Sequence, residues 1–495
     1  MPERKRVAVL ADSDTRWKWG ALTARRLVPD HQLTGYLLRG RATPTARQLG
    51  EVGVEADRLT EVTCAEFLAE LGREEYDVVV LALVGGAVQA VLHGARALWP
   101  APAARPVLVT GYVGVVYEKL ADGLLLRHGA DLVLANSRHD AERFRAVYEG
   151  VGADADAVTE TALPFLGGAP YEPAGSRAHT VVFAVQPSVP DSRADRAYLL
   201  ERAAGHARLH PDREVLIKLR SRPGEHTTHL EEQPYQRLAA KVPGGLPANC
   251  RLVYGNMGEV LDGTDLLVTV SSTAALESLH RSIPTAVLTD LGVREALGNH
   301  HFLGSGCLAS WDQLDAGLLP QGDADWLAAQ GVRPAAAGRA AHTAAPDAPG
   351  SAAPASAAPG PAAAGAAYVP VSGAPAPAPA PASAGSAAAA VTEPGGPYDA
   401  YAVARAKVAE LAGQPQLPSP APYYTLTTAP GYLPGILARH HLGPDGTPLP
   451  GAVRPTAGGS RVRQRLRSYL REAARGAYRH GVQRVAPVIR RMGEL

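Results

Sequence analysis

Three hydroxyl residues stand in a row where α/β proteins often bind phosphate. Ser271, Ser272 and Thr273 follow the apolar run 266–270, which reads as a buried strand, and they precede a stretch of helical character. The first backbone N–H groups of a helix are free and carry a partial positive charge, and small side chains let an anion approach them. We therefore predict a phosphate-binding turn, called the hydroxyl turn (residues 271–273). The alternative is that Ser271 only caps the helix.

Charged side chains elsewhere in the sequence suit the same ligand. Glu277 lies one helical turn beyond Thr273, where its carboxylate could accept hydrogen bonds from a ribose diol. Lys218, Arg220 and Arg222 alternate at the end of another apolar run, so on an extended chain they share one face. There they could neutralise a diphosphate or monophosphate leaving group. A solvated sheet edge is the alternative for these cations.

Two carboxylates, Asp12 and Asp14, follow the first apolar run of the chain. At the carboxyl end of a strand they could supply a general base that takes a proton from a hydroxyl group. Asp14 is the first candidate for this role and Asp12 the second. The alternative is that Asp14 caps a helix that begins near Arg16.

Further residues could contact the hydroxyl-bearing reactant. Arg16 and Trp17 come next in the sequence, and the indole of Trp17 or Trp19 could stack on a sugar ring, although core packing of at least one is the alternative. Gly86 and Tyr112 follow two later apolar runs, in turns expected at the same sheet edge. Glycine there permits close backbone approach to a ligand. Tight turns alone would explain both positions equally well.

The elements that must position these residues are strands alternating with helices. Short Val- and Leu-rich runs occur at 6–10, 32–38, 77–83, 106–110 and 131–135, and again at 180–185, 214–219, 251–254, 266–270 and 285–288. Continuous apolar strands, each followed by a helix, predict parallel sheets covered on both faces. The predicted fold class is therefore α/β, with two doubly wound Rossmann-like domains facing across a cleft at the carboxyl ends of their strands.

Composition divides the chain of 495 residues further. Residues 331–397 are nearly all Ala, Pro, Gly and Ser, which cannot bury enough surface to offset ordering entropy, so a disordered linker is predicted there. Residues 398–495 form a tail, in which the arginines between 461 and 491 lie over apolar residues at helical spacing and predict a basic amphipathic helix. The two α/β domains are predicted at 1–168 and 169–330.

Charge and cysteine content exclude several classes of protein. Lys and Arg total 49 against 48 for Asp and Glu, so no nucleic-acid partner is expected. Three scattered cysteines give no zinc or disulfide pattern, and no run of about 18 apolar residues occurs, so we expect a cytoplasmic protein. The basic helix could contact the inner face of a membrane or dock on the body. The absence of GxGxxG after the first strand argues against a dehydrogenase.

The segment 265–288 combines a strand that begins with aspartate, Ser-Ser-Thr, a helix with glutamate and a proline-led strand. This combination resembles the donor-binding half of GT-B glycosyltransferases, above all the group with bacterial capsule sialyltransferases and polysialyltransferases, lipid A disaccharide synthase and CDP-glycerol glycerophosphotransferases. Residues 131–144 look like the last strand and helix of a GT-B N-terminal domain. The resemblance covers about residues 5–310 and implies that the donor's phosphates bind the hydroxyl turn and its base lies against Gly255 and Asn256. The His-Pro pair typical of the sialyltransferases and glycerophosphotransferases does not follow the second strand here.

The predicted function is transfer of a sugar from a nucleotide-activated donor to a hydroxyl acceptor, which would be a glycan or a lipid-linked sugar. The nucleotide sugar is a co-substrate, and no other cofactor is expected. No metal is predicted either, because the helix dipole and the cations offset the leaving charge, and because residues 12–14 are not placed like the Asp-x-Asp metal motif of the other glycosyltransferase fold. The alternatives are a nucleotide-sugar 2-epimerase and a non-catalytic protein that binds nucleotide sugars or glycans.

Overall fold

Two all-parallel β-sheets organise the protein, for which the computed structural model describes residues 4–115, 120–222, 225, 231, 233–333 and 399–452. The strands of the first sheet are β1 (Lys5–Ala11), β2 (His31–Leu38), β3 (Arg58–Val62), β4 (Val78–Ala82), β5 (Val107–Gly111), β6 (Leu132–Ala135) and β7 (Val158–Glu160). Their order in the sheet is β3-β2-β1-β4-β5-β6-β7. The helices between them are α1 (Asp14–Leu27), α2 (Ala46–Val52), α3 (Cys64–Leu71), α4 (Gly85–Leu98), α5 (Leu120–Leu125) and α6 (Arg138–Gly150).

The second sheet repeats this arrangement. Its strands are β8 (His179–Ala184), β9 (Arg213–Lys218), β10 (Cys250–Val253), β11 (Leu266–Thr269), β12 (Thr285–Leu288) and β13 (Leu308–Ala309), in the order β10-β9-β8-β11-β12-β13. Its helices are α7 (Arg193–Leu209), α8 (Tyr235–Ala239), α9 (Met257–Asp262), α10 (Ala274–His280), two short 3₁₀ helices (Glu295–Leu297 and Asn299–Phe302), α11 (Trp311–Asp315) and α12 (Ala324–Ala329). The prediction of two parallel-sheet α/β domains is confirmed.

The alternation of side chains along β1 explains why these strands read as unbroken apolar runs. Ala8 and Leu10 belong to the core on one face of the first sheet, whereas Val7, Val9 and Ala11 belong to the core on the other face. Both faces of the sheet are covered, so the residues at odd positions and those at even positions along the buried part of the strand must all be apolar. The sheet edge that carries the ends of β1 and β4 is thereby fixed relative to the helices that follow them.

A segment after residue 398 returns to the first domain. Residues 399–452, called the returning segment, contain α13 (Ala402–Ala412), which packs on α1, β5 and β7, and α14 (Leu433–Arg439), which packs on α4. The Tyr401 hydroxyl donates to the backbone oxygen of Ala162 at 2.7 Å, and the Arg405 guanidinium donates to that of Arg26 at 2.6 Å. This part of the predicted tail is therefore built into the first domain. Most of the predicted linker and the whole predicted basic helix lie outside the described residues, and the predicted boundaries stay predictions.

Within the described ranges, no helix is long and apolar enough to cross a bilayer.

Arg127 is a buried cation that joins the loop after β4, the end of β5 and helix α5 of the first domain. Its guanidinium donates to the backbone oxygens of Leu83, Gly111 and Gly123 at 3.2, 3.0 and 2.7 Å. The guanidinium carbon, Cζ, lies 4.1 Å from the centre of the Tyr112 ring. Burial lowers the pKa of this guanidinium. Leu83 directly follows β4 and Gly111 ends β5, so Arg127 helps to set the sheet edge on which the candidate site is built.

We expect Arg127→Met to destabilise the protein by about 2–4 kcal/mol, because it leaves buried carbonyl oxygens without their donor. Urea-induced unfolding measures the loss. Arg138→Met is the matched control, since Arg138 is exposed at the start of α6, and its effect should stay within about 0.5 kcal/mol. Equal unfolding midpoints for the two variants would show that the hydrogen bonds of Arg127 do not stabilise the first domain.

Candidate active site

A cleft of about 830 Å³ lies between the carboxyl ends of the two sheets. Both domains line it with polar and charged side chains. Of the residues singled out from the sequence, the cleft is lined by Asp14, Arg16, Tyr112, Lys218, Arg220, Gly255, Asn256, Ser271, Ser272, Thr273 and Glu277. The structure thus brings together most of the predicted site, from segments that are far apart in the chain.

The two cations at the carboxyl end of β9, Lys218 and Arg220, differ strongly in their surroundings. Lys218 is only 6% exposed, and its ammonium donates to the backbone oxygen of Leu219 at 2.8 Å. Burial lowers the pKa of Lys218 to about 8. Arg220 reaches across the cleft, where its guanidinium donates to Asp14 Oδ1 at 2.7 Å and also to the Thr15 hydroxyl. The second domain therefore presents two cations at the mouth of its sheet, one buried and one paired.

Asp14 occupies the first turn of α1. The N-cap is Ser13, whose hydroxyl accepts from the backbone N–H of Arg16 at 3.4 Å, so the alternative that Asp14 caps the helix is wrong. Burial alone would raise the pKa of the Asp14 carboxyl, but the guanidinium of Arg220 and the hydrogen bonds from Thr15 together outweigh burial and lower it. In this arrangement Asp14 is an ionised, paired carboxylate.

Asp12 supports the site without lining it. Its carboxylate accepts from the Arg16 guanidinium at 2.9 Å and from the backbone N–H of Val84 at 2.9 Å. These bonds tie the end of β1 to the loop after β4. Asp12 is thus placed to position Arg16 rather than to contact a reactant.

The hydroxyl turn is held mainly by its own domain. The Ser271 hydroxyl donates to the backbone oxygen of Leu297 at 2.6 Å, and the Ser271 N–H donates to Gln186 Oε1 at 3.0 Å. The N-cap of α10 is Thr273, which makes no capping hydrogen bond through its side chain, so the alternative that Ser271 caps this helix is wrong. The Ser272 hydroxyl accepts from the backbone N–H of Ala274 at 3.2 Å. Ser272 and Thr273 are half-buried and line the cleft. They are the members of the turn best placed to meet a ligand, while Ser271 fixes the turn's position.

Glu277 and the turn after β10 are both contacted by the first domain. Lys18 donates through Nζ to Glu277 Oε2 at 3.3 Å. The backbone N–H of Gly255 donates to Glu51 Oε1 at 3.1 Å, and the Asn256 side chain donates to the backbone oxygen of Glu51 at 2.9 Å. Groups expected to bind ribose and base are therefore occupied by side chains and backbone from across the cleft.

Lys18, Glu51 and Glu295 also line the cleft and were missed by the sequence analysis. Lys18 could have been found, because it lies one helical turn after Asp14 on α1 and shares its face. Glu51 and Glu295 lie on α2 and on a 3₁₀ helix that no phosphate-binding or catalytic pattern marks. Glu51 and Glu295 reach the cleft only because of the way the two domains face each other.

Two predicted acceptor contacts need correction. Trp17 is 1% exposed, packs in the core beneath the first sheet and donates through its indole N–H to the backbone oxygen of Val54 at 3.2 Å, so it cannot stack on a sugar. Trp19 is buried in the same core. Gly86 does not line the cleft, and Ile436 of the returning segment lies over it. Tyr112 lines the cleft, with its ring against Arg127.

A group with the composition of a metal site lies away from the cleft. His206 and His210 of α7 and Asp315 of α11 bring their ligand atoms within 4.8 Å of one another. Hydrogen bonds already satisfy these groups, since His206 contacts Asp315 at 2.7 Å and Arg213 at 3.3 Å. We interpret this cluster as a structural contact between α7 and α11.

The comparison with protein families gives the chain its class. Residues 7–346 match the family described as "Putative glycosyltransferase (DUF6716)", and the chain belongs to this family. The predicted enzyme class agrees with this description, while the narrower groups named from the sequence stay predictions. No curated protein matches the chain.

Several solved structures are similar to this chain over 59–66% of its length. The co-structure of S. aureus MnaA with UDP has a TM-score of 0.44 and 13% identity, covering 66% of this chain and 91% of that one. UDP-GlcNAc 2-epimerase from Neisseria meningitidis bound to UDP-GlcNAc has a TM-score of 0.41 and 11% identity, covering 63% and 90%. E. coli heptosyltransferase WaaC with ADP has a TM-score of 0.32 and 16% identity, covering 59% and 90%.

Proposed function

We propose that the protein is a GT-B glycosyltransferase that moves a sugar from a nucleotide-activated donor to a hydroxyl group of a glycan or lipid-linked acceptor. The observation that carries the proposal is the cleft of this glycosyltransferase-family member, which Lys218, Arg220 and the hydroxyl turn line together at the strand ends of the second domain. Cations and hydroxyl donors in one cleft suit a phosphate group.

In the proposed mechanism the second domain binds the donor. Its phosphates lie between Lys218, Arg220 and the hydroxyls of Ser272 and Thr273, and its ribose lies at Glu277. The base lies at Gly255 and Asn256. The two cations offset the charge that develops on the leaving phosphate, so we propose a reaction that requires no metal.

The first domain faces the acceptor in this proposal. Asp14 takes the proton of the attacking hydroxyl, while Arg16 and Tyr112 border the space beside it. Asp12 keeps Arg16 in place. We further propose that the reaction takes place in the cytoplasm, with the arginine-rich residues 461–491 at the inner face of the membrane.

The proposal is tested with a panel of UDP-, GDP-, CMP-, CDP- and dTDP-linked sugars. A true donor at a hundred times its Kd should stabilise the folded protein by about 2.7 kcal/mol, measured as a rise in Tm. The double variant Ser272→Ala/Lys218→Ala should fold but lose this rise and all turnover. Isomerised donor without an acceptor would favour the epimerase, and binding without any reaction would favour a binding protein. If no member of the panel binds, the proposed function is wrong.

A further inference from the structure

The ion pair between Arg220 and Asp14 joins the two domains across the cleft. Arg220 follows β9 of the second domain, Asp14 begins α1 of the first, and their side chains meet at 2.7 Å. The Asp14 side chain is 13% exposed and that of Arg220 is 30% exposed, so the pair is largely shielded from water. The Thr15 hydroxyl accepts a second hydrogen bond from the same guanidinium nitrogen. Arg220 therefore already has a carboxylate where the proposed function places a donor phosphate.

A phosphate and a carboxylate compete for one guanidinium because both bind it through oxygen atoms in the same planar geometry. Whether Arg220 binds Asp14 or a phosphate has opposite effects on the basicity of Asp14. When Arg220 stays on Asp14, the carboxylate is stabilised and is a poor proton acceptor. When Arg220 leaves, Asp14 keeps its burial but loses its cation, and burial alone raises the pKa of this carboxyl.

We propose that Arg220 is shared between Asp14 and the donor, and that its transfer to the donor's phosphate releases Asp14 as the proton acceptor for the sugar transfer. This inference rests on the proposed function and adds a way in which donor binding controls the general base, Asp14. The base becomes competent only when a donor is bound. The charged groups that face the same cleft, and that therefore contribute to its field, are Arg16, Lys18, Glu51, Lys218, Glu277 and Glu295.

The proposed sugar transfer needs only the donor, the acceptor and the side chains named above. The acceptor oxygen forms a bond to the anomeric carbon and gives its proton to an oxygen of Asp14. The bond from the anomeric carbon to the phosphate oxygen breaks, and its electron pair leaves with the nucleotide, which Arg220 and Lys218 bind. Asp14 returns its proton to water when the nucleotide departs and Arg220 pairs with it again.

A double-mutant cycle on nucleotide affinity tests the sharing. By calorimetry with the nucleotide that stabilises the wild-type protein most, Asp14→Asn should tighten binding about fivefold to tenfold, because it removes the competitor for Arg220. In an Arg220→Gln background the same substitution should change affinity by less than about twofold. Asp30→Asn is the matched control, since its exposed carboxylate pairs with Arg4 outside the cleft, and it should leave the affinity unchanged within the same limit.

Turnover gives an independent measurement on the Asp14→Asn variant alone. Loss of a general base should lower kcat by about 10²–10⁴-fold while the donor affinity rises, a combination that a merely structural role would not produce. Tighter binding of equal size with and without Arg220, or no change in affinity, would overturn the sharing but leave the proposed function standing. Failure of the wild-type protein and all variants to bind any nucleotide would refute both.

Discussion

The Lys218→Ala variant is expected to transfer sugar at least about a hundredfold more slowly than the wild-type protein. Lys218 is the buried cation of the cleft, and a preorganised charge in a water-poor site contributes more to a leaving group than an exposed one. Steady-state kinetics with the donor from the nucleotide panel measures the loss in kcat/KM. Lys241→Ala, which removes an exposed lysine of the same domain, is the matched control and should leave kcat/KM unchanged.

The pH dependence of the wild-type protein gives the same residue a second test. Because burial lowers the pKa of Lys218 to about 8, the side chain is charged below that pH and neutral above it. The profile of kcat/KM, which reports the free enzyme, should therefore fall as the pH rises through about 8. Lys218→Arg should remove this fall, since a guanidinium stays protonated. A Lys218→Ala variant that keeps a third or more of the wild-type kcat/KM would contradict the role of this cation.

A protein shortened to residues 1–346, where the family match ends, is expected not to fold stably. The shortening removes the returning segment, seven of whose large apolar side chains are buried, namely Tyr401, Val408, Leu417, Leu433, Ile436, Leu437 and Leu442. Each buried side chain of this kind contributes about 1.5–3 kcal/mol, an upper estimate. Their sum is comparable to the whole stability of a domain, about 5–15 kcal/mol.

Soluble yield and the Tm of the purified protein measure this effect. The matched control is a protein shortened to residues 1–452, which keeps every described contact of the returning segment and should retain the wild-type Tm. If residues 1–346 unfold at the same temperature as residues 1–452, the returning segment is dispensable for the first domain.

Strands buried on both faces could be predicted from the sequence, because their apolar runs are continuous. Strand β3 could not, since it lies at the sheet edge and only the last residue of its sequence, Arg-Leu-Thr-Glu-Val, is buried. The short strands β7 and β13, of three and two residues, are too brief to form a pattern. The sequence predicts a separate tail for the returning segment, because no local pattern shows that its apolar residues pack on the first domain.

In the candidate site, too, some residues could be predicted from the sequence and others could not. The hydroxyl turn, Lys218 and Asp14 could be located because each directly follows or ends a predicted strand. The pairing of Arg220 with Asp14 joins residues 206 positions apart and depends on the approach of two domains, which no local pattern encodes. Trp17 was misplaced for a related reason, since a helix that begins at Asp14 turns its indole into the core, whereas an extended chain would not.

The return of the chain to the first domain also sets an order of events during synthesis. Strand β7 leaves the ribosome more than two hundred residues before α13 does. At about 5–20 residues per second, this interval lasts about 10–50 seconds. The second domain, whose last helix ends at Ala329, emerges whole within that time. A nascent chain therefore finishes its later domain first, and the surfaces that await α13 and α14 are open to chaperones until the earlier domain is completed.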